Sequence, residues 1–260
     1  MPRIAACIEY CGKNYRGWQR QKHAITVQEM VEKSVSKVAD EQINIIASGR
    51  TDTGVHALGQ IVHFDTSSNR ANYEWTRGVN SFLPRDISML WAIPVSEEFH
   101  ARFGAKERSY RYVICNRTIK PSYLDGLVTW HRIPLQIEPM RKAAEALAGK
   151  HDFSAYRAAG CQNKNPVKEV KSIELFSENY WIWLDITADG FLHHMVRNIV
   201  GVLTKIGTGQ ASQEWAAEVL QSRDRKQGGV TAAPDGLYFL GVKYDGDFAL
   251  PDPPAKCQFW

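Results

Sequence analysis

The sequence predicts an α+β fold made of two halves of similar design, and three observations carry that expectation. Ile4, Ala6, Ile8 and Tyr10 recur at every second position of residues 3–10, the period of a strand. The first hundred residues then run strand, helix, strand, strand, helix, strand, the order of a split βαβ sheet with its helices on one face. The same kinds of element recur in the second half, without any repeat at the level of residues. The boundary is expected near Phe103-Gly104-Ala105, which gives halves of 1–104 and 105–260. The cleft between two such halves is where a site is expected.

Each element has its own signature. Ile4, Ala6, Ile8 and Tyr10 predict a strand with one buried face. Thr26-Val27-Gln28-Glu29 has capping-box spacing, and Val27, Met30, Val31, Val35 and Val38 form the helical stripe behind it. Strands are expected at 43–47 and 60–65, a helix over Tyr73–Phe82 and an extended run over Ile87–Ile93. In the second half, Ser109–Cys115 and Leu127–Ile133 are expected strands, and Pro139–Ala148 a helix ended by Gly149. Val170–Ile186 holds two strands joined near Ser177-Glu178-Asn179. His193–Ile206 is a strongly apolar helix ended by Gly207, Trp215–Gln221 a shorter helix, and Leu237–Tyr244 a closing strand. Pro251-Asp252-Pro253-Pro254 reads as an extended tail.

The 260 residues, 44% hydrophobic, can bury a substantial core. No apolar run approaches the ~20 residues of a membrane helix. Met195–Ile206 comes nearest, and Arg197, Asn198 and Lys205 interrupt it. The opening MPRIAACIEY lacks the apolar core of a signal peptide, so a cytoplasmic protein is expected. Cys7, Cys11, Cys115, Cys161 and Cys257 are odd in number and scattered, which argues against disulfides and against a zinc site. His193-His194 is a poor metal pair, since adjacent helical residues point in different directions. No metal site is expected.

Net charge is +4, and its distribution says more than its size. Arg16, Arg20 and Lys22 surround Trp18; Lys106, Arg108 and Arg111 surround Tyr110 and Tyr112; Lys164, Lys168 and Lys171 follow. Cations interleaved with aromatics suit RNA, whose phosphates meet the cations and whose unstacked bases meet the rings. They suit equally a solvated surface of cationic tips over aromatic stems.

The chemistry concentrates in Ala47-Ser48-Gly49-Arg50-Thr51-Asp52-Thr53-Gly54-Val55-His56-Ala57, between two expected strands. Gly49 and Gly54 permit sharp turns that hold Asp52 out at a strand end. By itself an aspartate between glycines also fits a simple Asx-turn. The full string, with Gln60 beyond it, closely resembles the active-site motif of TruA-type tRNA pseudouridine synthases. The likeness extends to Gly17-Trp18-Gln19-Arg20-Gln21, Thr26-Val27-Gln28 and Arg108-Ser109-Tyr110-Arg111-Tyr112. It continues through Phe191-Leu192-His193-His194-Met195-Val196-Arg197-Asn198 and Pro234-Asp235-Gly236-Leu237-Tyr238, in order along nearly the whole chain.

That resemblance implies two pseudo-symmetric ferredoxin-like halves around a cleft, a homodimer and no cofactor. It implies that uridine becomes pseudouridine at positions 38, 39 and 40 of the tRNA anticodon stem-loop. It places the catalytic aspartate at Asp52, the stacking tyrosine at Tyr110 and the aspartate's partner at Arg197. An ionised carboxylate in a cleft needs a cation beside it, and an arginine among apolar residues is seldom buried without a partner. Leu237 is expected to wall the pocket against water, and Arg50 to fill the gap left by an extruded base or to hold a flanking phosphate. His56 is left outside the chemistry. Two alternatives stand beside this reading. One is a non-catalytic RNA-binding protein of RRM-like fold, which has no use for Asp52. The other is an enzyme attacking uracil through a cysteine, for which Cys161 near Arg157 and Lys164 is the sole faint candidate.

Overall fold

The computed structural model describes residues 1–246 and 248–260. It is a mixed α/β structure in which antiparallel strand pairs predominate. The chain divides into two compact units, Met1–Lys106 with Tyr238–Cys257, and Glu107–Leu237 with Gln258–Trp260. It therefore returns at Tyr238 to the first unit, an excursion that a division at one point along the sequence does not describe.

In the first unit, strands β1 (Arg3–Tyr10), β3 (His56–Asp65), β4 (Ile87–Val95) and β10 (Leu237–Tyr244) lie in the order β4-β1-β3-β10. β1 is antiparallel to both β4 and β3. Along its other edge β3 pairs at His56 and Ala57 with β10, in parallel, and at Val62 and His63 with the short β2 (Ile46–Ala47). β2 is thus two residues long, and Ile43 and Ile45 are buried in the loop before it. The expected strand at 43–47 shrinks because Ile45's amide is taken by the Glu32 carboxylate and its carbonyl by Gln28.

β1 was expected to bury one face and buries both. Ala5 and Cys7, fully buried, meet Ile61, Phe99 and Ala101, with Tyr244, Phe248 and Leu250 packed over them. The C-terminal segment therefore packs: Phe248 lies edge-on to Phe99 at 5.2 Å between centroids. On helix α1 (Val27–Ala39), Val27, Val31 and Val35 are fully buried, while Met30 and Val38 are half-buried. The expected capping box does not form. Thr26 makes no side-chain cap bond, and its buried hydroxyl has no hydrogen-bond partner among the described residues. The amides of Val27 and Gln28 donate instead to the carbonyls of Gly17 and Trp18, at 3.2 and 3.0 Å, so the helix start is satisfied from another loop. Glu29 pairs with Lys33. Helix α2 (Asn72–Phe82) sets Trp75 edge-on against Phe64 at 5.4 Å.

In the second unit, β5 (Ala105–Asn116), β9 (Trp181–Ala188), β8 (Val167–Glu178) and β7 (Gly149–Asp152) lie side by side and antiparallel. The short β6 (Thr129–His131) runs parallel to β5. β7 was not expected. Helix α3 (Ile137–Glu145) stops before Gly149, whose φ of +95° opens that strand rather than ending the helix. One face of the sheet carries the buried Tyr112, Ile114, Leu184, Ile186 and Leu175. The other carries the ion pair Arg111–Asp185 at 2.7 Å, with Trp183 stacked between Phe176 and Trp260. Helix α4 (Met195–Gly207) includes Gly207, where a Cβ would stand 2.5 Å from the Met140 sulfur, so the two helices meet there in close contact. Helix α5 (Trp215–Ser222) follows.

Candidate active site

The segment between β2 and β3 has no regular structure, yet its backbone is tied at nearly every step. The Ser48 amide donates to the Ile61 carbonyl at 2.8 Å, and its hydroxyl to the Gln60 side-chain oxygen at 2.6 Å. Gln60, wholly buried, donates in turn to the Gly49 carbonyl at 2.8 Å. Tyr10 and Thr51 share a buried hydroxyl–hydroxyl hydrogen bond of 2.8 Å. The Thr51 carbonyl accepts from the Trp18 amide at 3.1 Å. Gly17 has φ of +84°, and a Cβ there would lie 2.6 Å from the Thr51 carbonyl oxygen, so glycine is required on both counts. The Val55 amide closes a turn onto the Asp52 main-chain carbonyl at 3.1 Å, and Gly54 turns at φ of +80°.

Asp52 therefore sits half-buried at the tip of a turn that is fixed on both sides. Arg50 is exposed on the same segment. His56 is buried; its Nδ1 accepts the Gly12 amide at 3.1 Å, which leaves the ring proton on Nε2, and its ring stacks on Tyr238 at 4.6 Å.

The second unit holds the other three expected residues. Tyr110 is buried on β5, opposite Ile186, with the Phe191 ring edge-on at 5.0 Å. Tyr112 shares its face and is structural: its hydroxyl bonds Thr129 at 2.6 Å and the Ala233 carbonyl at 2.8 Å. Arg197 lies half-buried in the first turn of α4, and its Nε donates to the Ala232 carbonyl at 2.8 Å. Asn198 anchors the same loop from a buried position. Its side-chain oxygen accepts from Thr231 at 2.7 Å and Arg225 at 3.1 Å. Gly236 presses against β5, a Cβ there falling 2.4 Å from the Val113 carbonyl, and so sets the buried Leu237 at the start of β10.

Several expectations about charge and metal change. Trp18 is buried against Tyr10, at 5.8 Å, and offers no ring to a nucleic acid. Arg111 is buried with Asp185, and Lys171 pairs with Glu169 at 2.6 Å, so these cations serve the fold or their neighbours. His193 and His194 are not helical neighbours. They precede α4, His194 has φ of +61°, and the rings lie 3.9 Å apart, so the argument that they point apart does not hold. Burial pushes the Cys7 thiol up to about 12 and raises that of Cys115, which disfavours thiolates there. At Cys161, Arg157 donates to the carbonyl rather than the sulfur, and the sulfur accepts the His193 amide at 3.4 Å.

Residues 6–104 and 143–245 match the family model described as tRNA pseudouridine synthase. The chain belongs to this family. Among curated relatives of the synthase, tRNA pseudouridine synthase A of Pseudomonas aeruginosa is 52% identical over 251 residues, covering 96% of this chain and 88% of its own. The enzyme of the same name from Nitrosococcus oceani is 50% identical over 258 residues, covering 99% and 100%. That from Thiobacillus denitrificans is 50% identical over the whole of both chains. A chain of the Cbf5-Nop10-Gar1 complex covers 77% of this chain and 53% of its own length at 8% identity, with a TM-score of 0.34.

Reading the synthase from sequence missed Phe191, the ring against Tyr110, and Tyr10, which reaches the Asp52 turn from β1. Phe191 opens the Phe191–Asn198 motif, but a phenylalanine there carries no chemistry of its own. Nothing local marks Tyr10, whose partner lies 41 residues away.

Proposed function

We propose that the synthase converts uridine to pseudouridine in the anticodon stem-loop of tRNA, at positions 38, 39 and 40, with Asp52 as its catalytic carboxylate. Family membership over both units carries this reading, and the rigidly held Asp52 turn supports it. The reaction breaks the bond from C1′ to N1, rotates the uracil and joins C1′ to C5; the C5 proton is released and N1, freed of the sugar, takes up a proton. Nothing is added or removed overall, so the chemistry calls for no cosubstrate.

A carboxylate can offset charge developing on the ribose, attack C1′, or take a proton from C2′. Each role needs it ionised. Arg197, an always-charged guanidinium on a rigid helix, is the cation we assign to keep it so. Tyr110 stacks on the uracil, worth ~1–3 kcal/mol, and tolerates its rotation because a π-face has no fixed hydrogen-bond register. Phe191 braces that ring. Leu237 supplies an apolar wall that keeps water from the opened sugar. Arg50, exposed beside Asp52, meets the flanking phosphate or the space vacated by the base. We assign the protein to the cytoplasm and, as the family resemblance implies, to a homodimer.

The pseudo-symmetric arrangement belongs to the same proposal. The neighbours β1-β3-β2 in the first unit and β5-β9-β8 in the second follow one pattern, each with a helix after the first strand and another after the strand beside it. Asp52→Asn tests the function: tritium release from C5 of labelled tRNA is lost while tRNA affinity stays close to wild type. Normal release by the variant refutes the assignment.

A further inference from the structure

The Asp52 turn is held by atoms outside its own motif, and their arrangement is specific. Tyr10 ends β1, buried and packed against Trp18. Its hydroxyl bonds the side chain of Thr51, the residue immediately before Asp52, at 2.8 Å. The Thr51 carbonyl is bound independently by the Trp18 amide, so both polar handles of that residue are fixed. Gln60 on β3 bonds the Ser48 hydroxyl and the Gly49 carbonyl at the start of the same segment. The Tyr10–Thr51 bond thus ties β1 to the turn, and Gln60 ties the start of the turn to β3.

A hydroxyl pair inside a sheet would serve stability from anywhere. Here it is placed on the residue immediately before the carboxylate, at the point where the turn leaves its ties to Gln60. We propose that Tyr10 and Thr51 are positioning residues for the isomerisation: their shared hydrogen bond aims the Asp52 carboxylate at the nucleoside sugar. The inference rests on the catalytic reading of Asp52. Without the bond the turn keeps its course but Thr51 can rotate, and the carboxylate samples orientations that do not meet C1′ or C2′. Binding of tRNA, spread over a wide surface, is indifferent to that rotation.

The test compares Tyr10→Phe, Thr51→Val, Thr51→Ser, the double variant Tyr10→Phe/Thr51→Val and Asp52→Asn in single-turnover tritium release, with tRNA affinity and thermal midpoint measured alongside. Misplacement of a reacting group by a fraction of an ångström lowers the rate about tenfold or more, so Tyr10→Phe and Thr51→Val should each show that loss with tRNA affinity unchanged within about twofold. Thr51→Ser, which keeps the hydroxyl, retains more of the rate than Thr51→Val. The double variant is no slower than the slower single, because both remove one bond. The inference is overturned if Asp52→Asn is inactive while Tyr10→Phe turns over at the wild-type rate. It is overturned also if Thr51→Ser is as slow as Thr51→Val, or if rate losses simply follow the thermal midpoints. Should Tyr10→Phe fail to fold, the serine and valine variants decide alone. Activity in Asp52→Asn would instead overturn the catalytic reading itself.

Discussion

Arg197 and Ala232 hold each other from both directions: the Arg197 Nε donates to the Ala232 carbonyl at 2.8 Å, and the Ala232 amide donates to the Arg197 carbonyl at 3.1 Å. The guanidinium is thereby oriented by the loop that leads to Leu237, and its remaining nitrogens keep a set direction. We expect Arg197→Met to move the acidic limb of the single-turnover rate to higher pH, since a neighbouring cation favours the ionised carboxylate. Arg197→Lys restores that limb but not the full rate, because a lysine has no Nε fork to bind Ala232. An acidic limb that stays in place in Arg197→Met would rule out the pairing with Asp52.

Gly201 makes the same loop possible. A Cβ there would stand 1.8 Å from the Val230 carbonyl oxygen, so Gly201→Ala must push the loop off α4. We expect a loss of about 1–3 kcal/mol in urea unfolding and a rate defect, since both Arg197 and Leu237 depend on that loop. A variant as stable and as fast as wild type would show that the loop yields freely.

Arg111 belongs to a run of cations suited to RNA, yet it forms a bidentate pair with Asp185 at 2.7 and 2.9 Å, with both side chains largely buried. Arg111→Met should cost about 3–5 kcal/mol of stability, because the carboxylate stays buried without its arginine. The dependence of tRNA affinity on salt should not change, as no phosphate contact is lost. A shallower salt slope in the variant would return Arg111 to the RNA surface.

His63 is 2% exposed, with its Nδ1 accepting the Ala101 amide at 3.1 Å. Burial, then the positive charges of Arg3 and His100, lower its pKa from 6.5 to about 4. The unfolded chain therefore binds the proton first as pH falls. Stability is fully present above pH 6.5 and is lost as pH drops towards 4, by an amount on the order of 3 kcal/mol. His63→Asn, which keeps an acceptor, should flatten urea stability across that window relative to wild type. Parallel curves for the two proteins would contradict it.

The elements with long, regular patterns were legible in the sequence: the closing strand Leu237–Tyr244, the β8–β9 hairpin and α4 all form close to where periodicity puts them. What escaped depends on partners distant along the chain. Thr26 has the spacing of a capping box, but Gly17 and Trp18 reach the helix first. Ile43–Ala47 has the composition of a strand, but a buried glutamate and glutamine claim its backbone. Trp18 and Arg111 have the types that bind RNA, and burial withdraws them. In the candidate site, Asp52 and Tyr110 stand in motifs specific enough to find. Tyr10 and Phe191 meet Thr51 and Tyr110 through contacts that no local spacing encodes.

The pairing of β10 with β3 at His56 and Ala57 also bears on how the protein is made. As the chain is synthesised, Glu107–Leu237 of the second unit emerge between Lys106 and the strand that completes the first unit. Until Tyr238 and Phe239 arrive, the end of β3 that follows the Asp52 turn has an open edge and His56 lacks its stacking partner. The segment that follows the Asp52 turn in sequence is thus completed by a strand that lies more than 170 residues further along the chain.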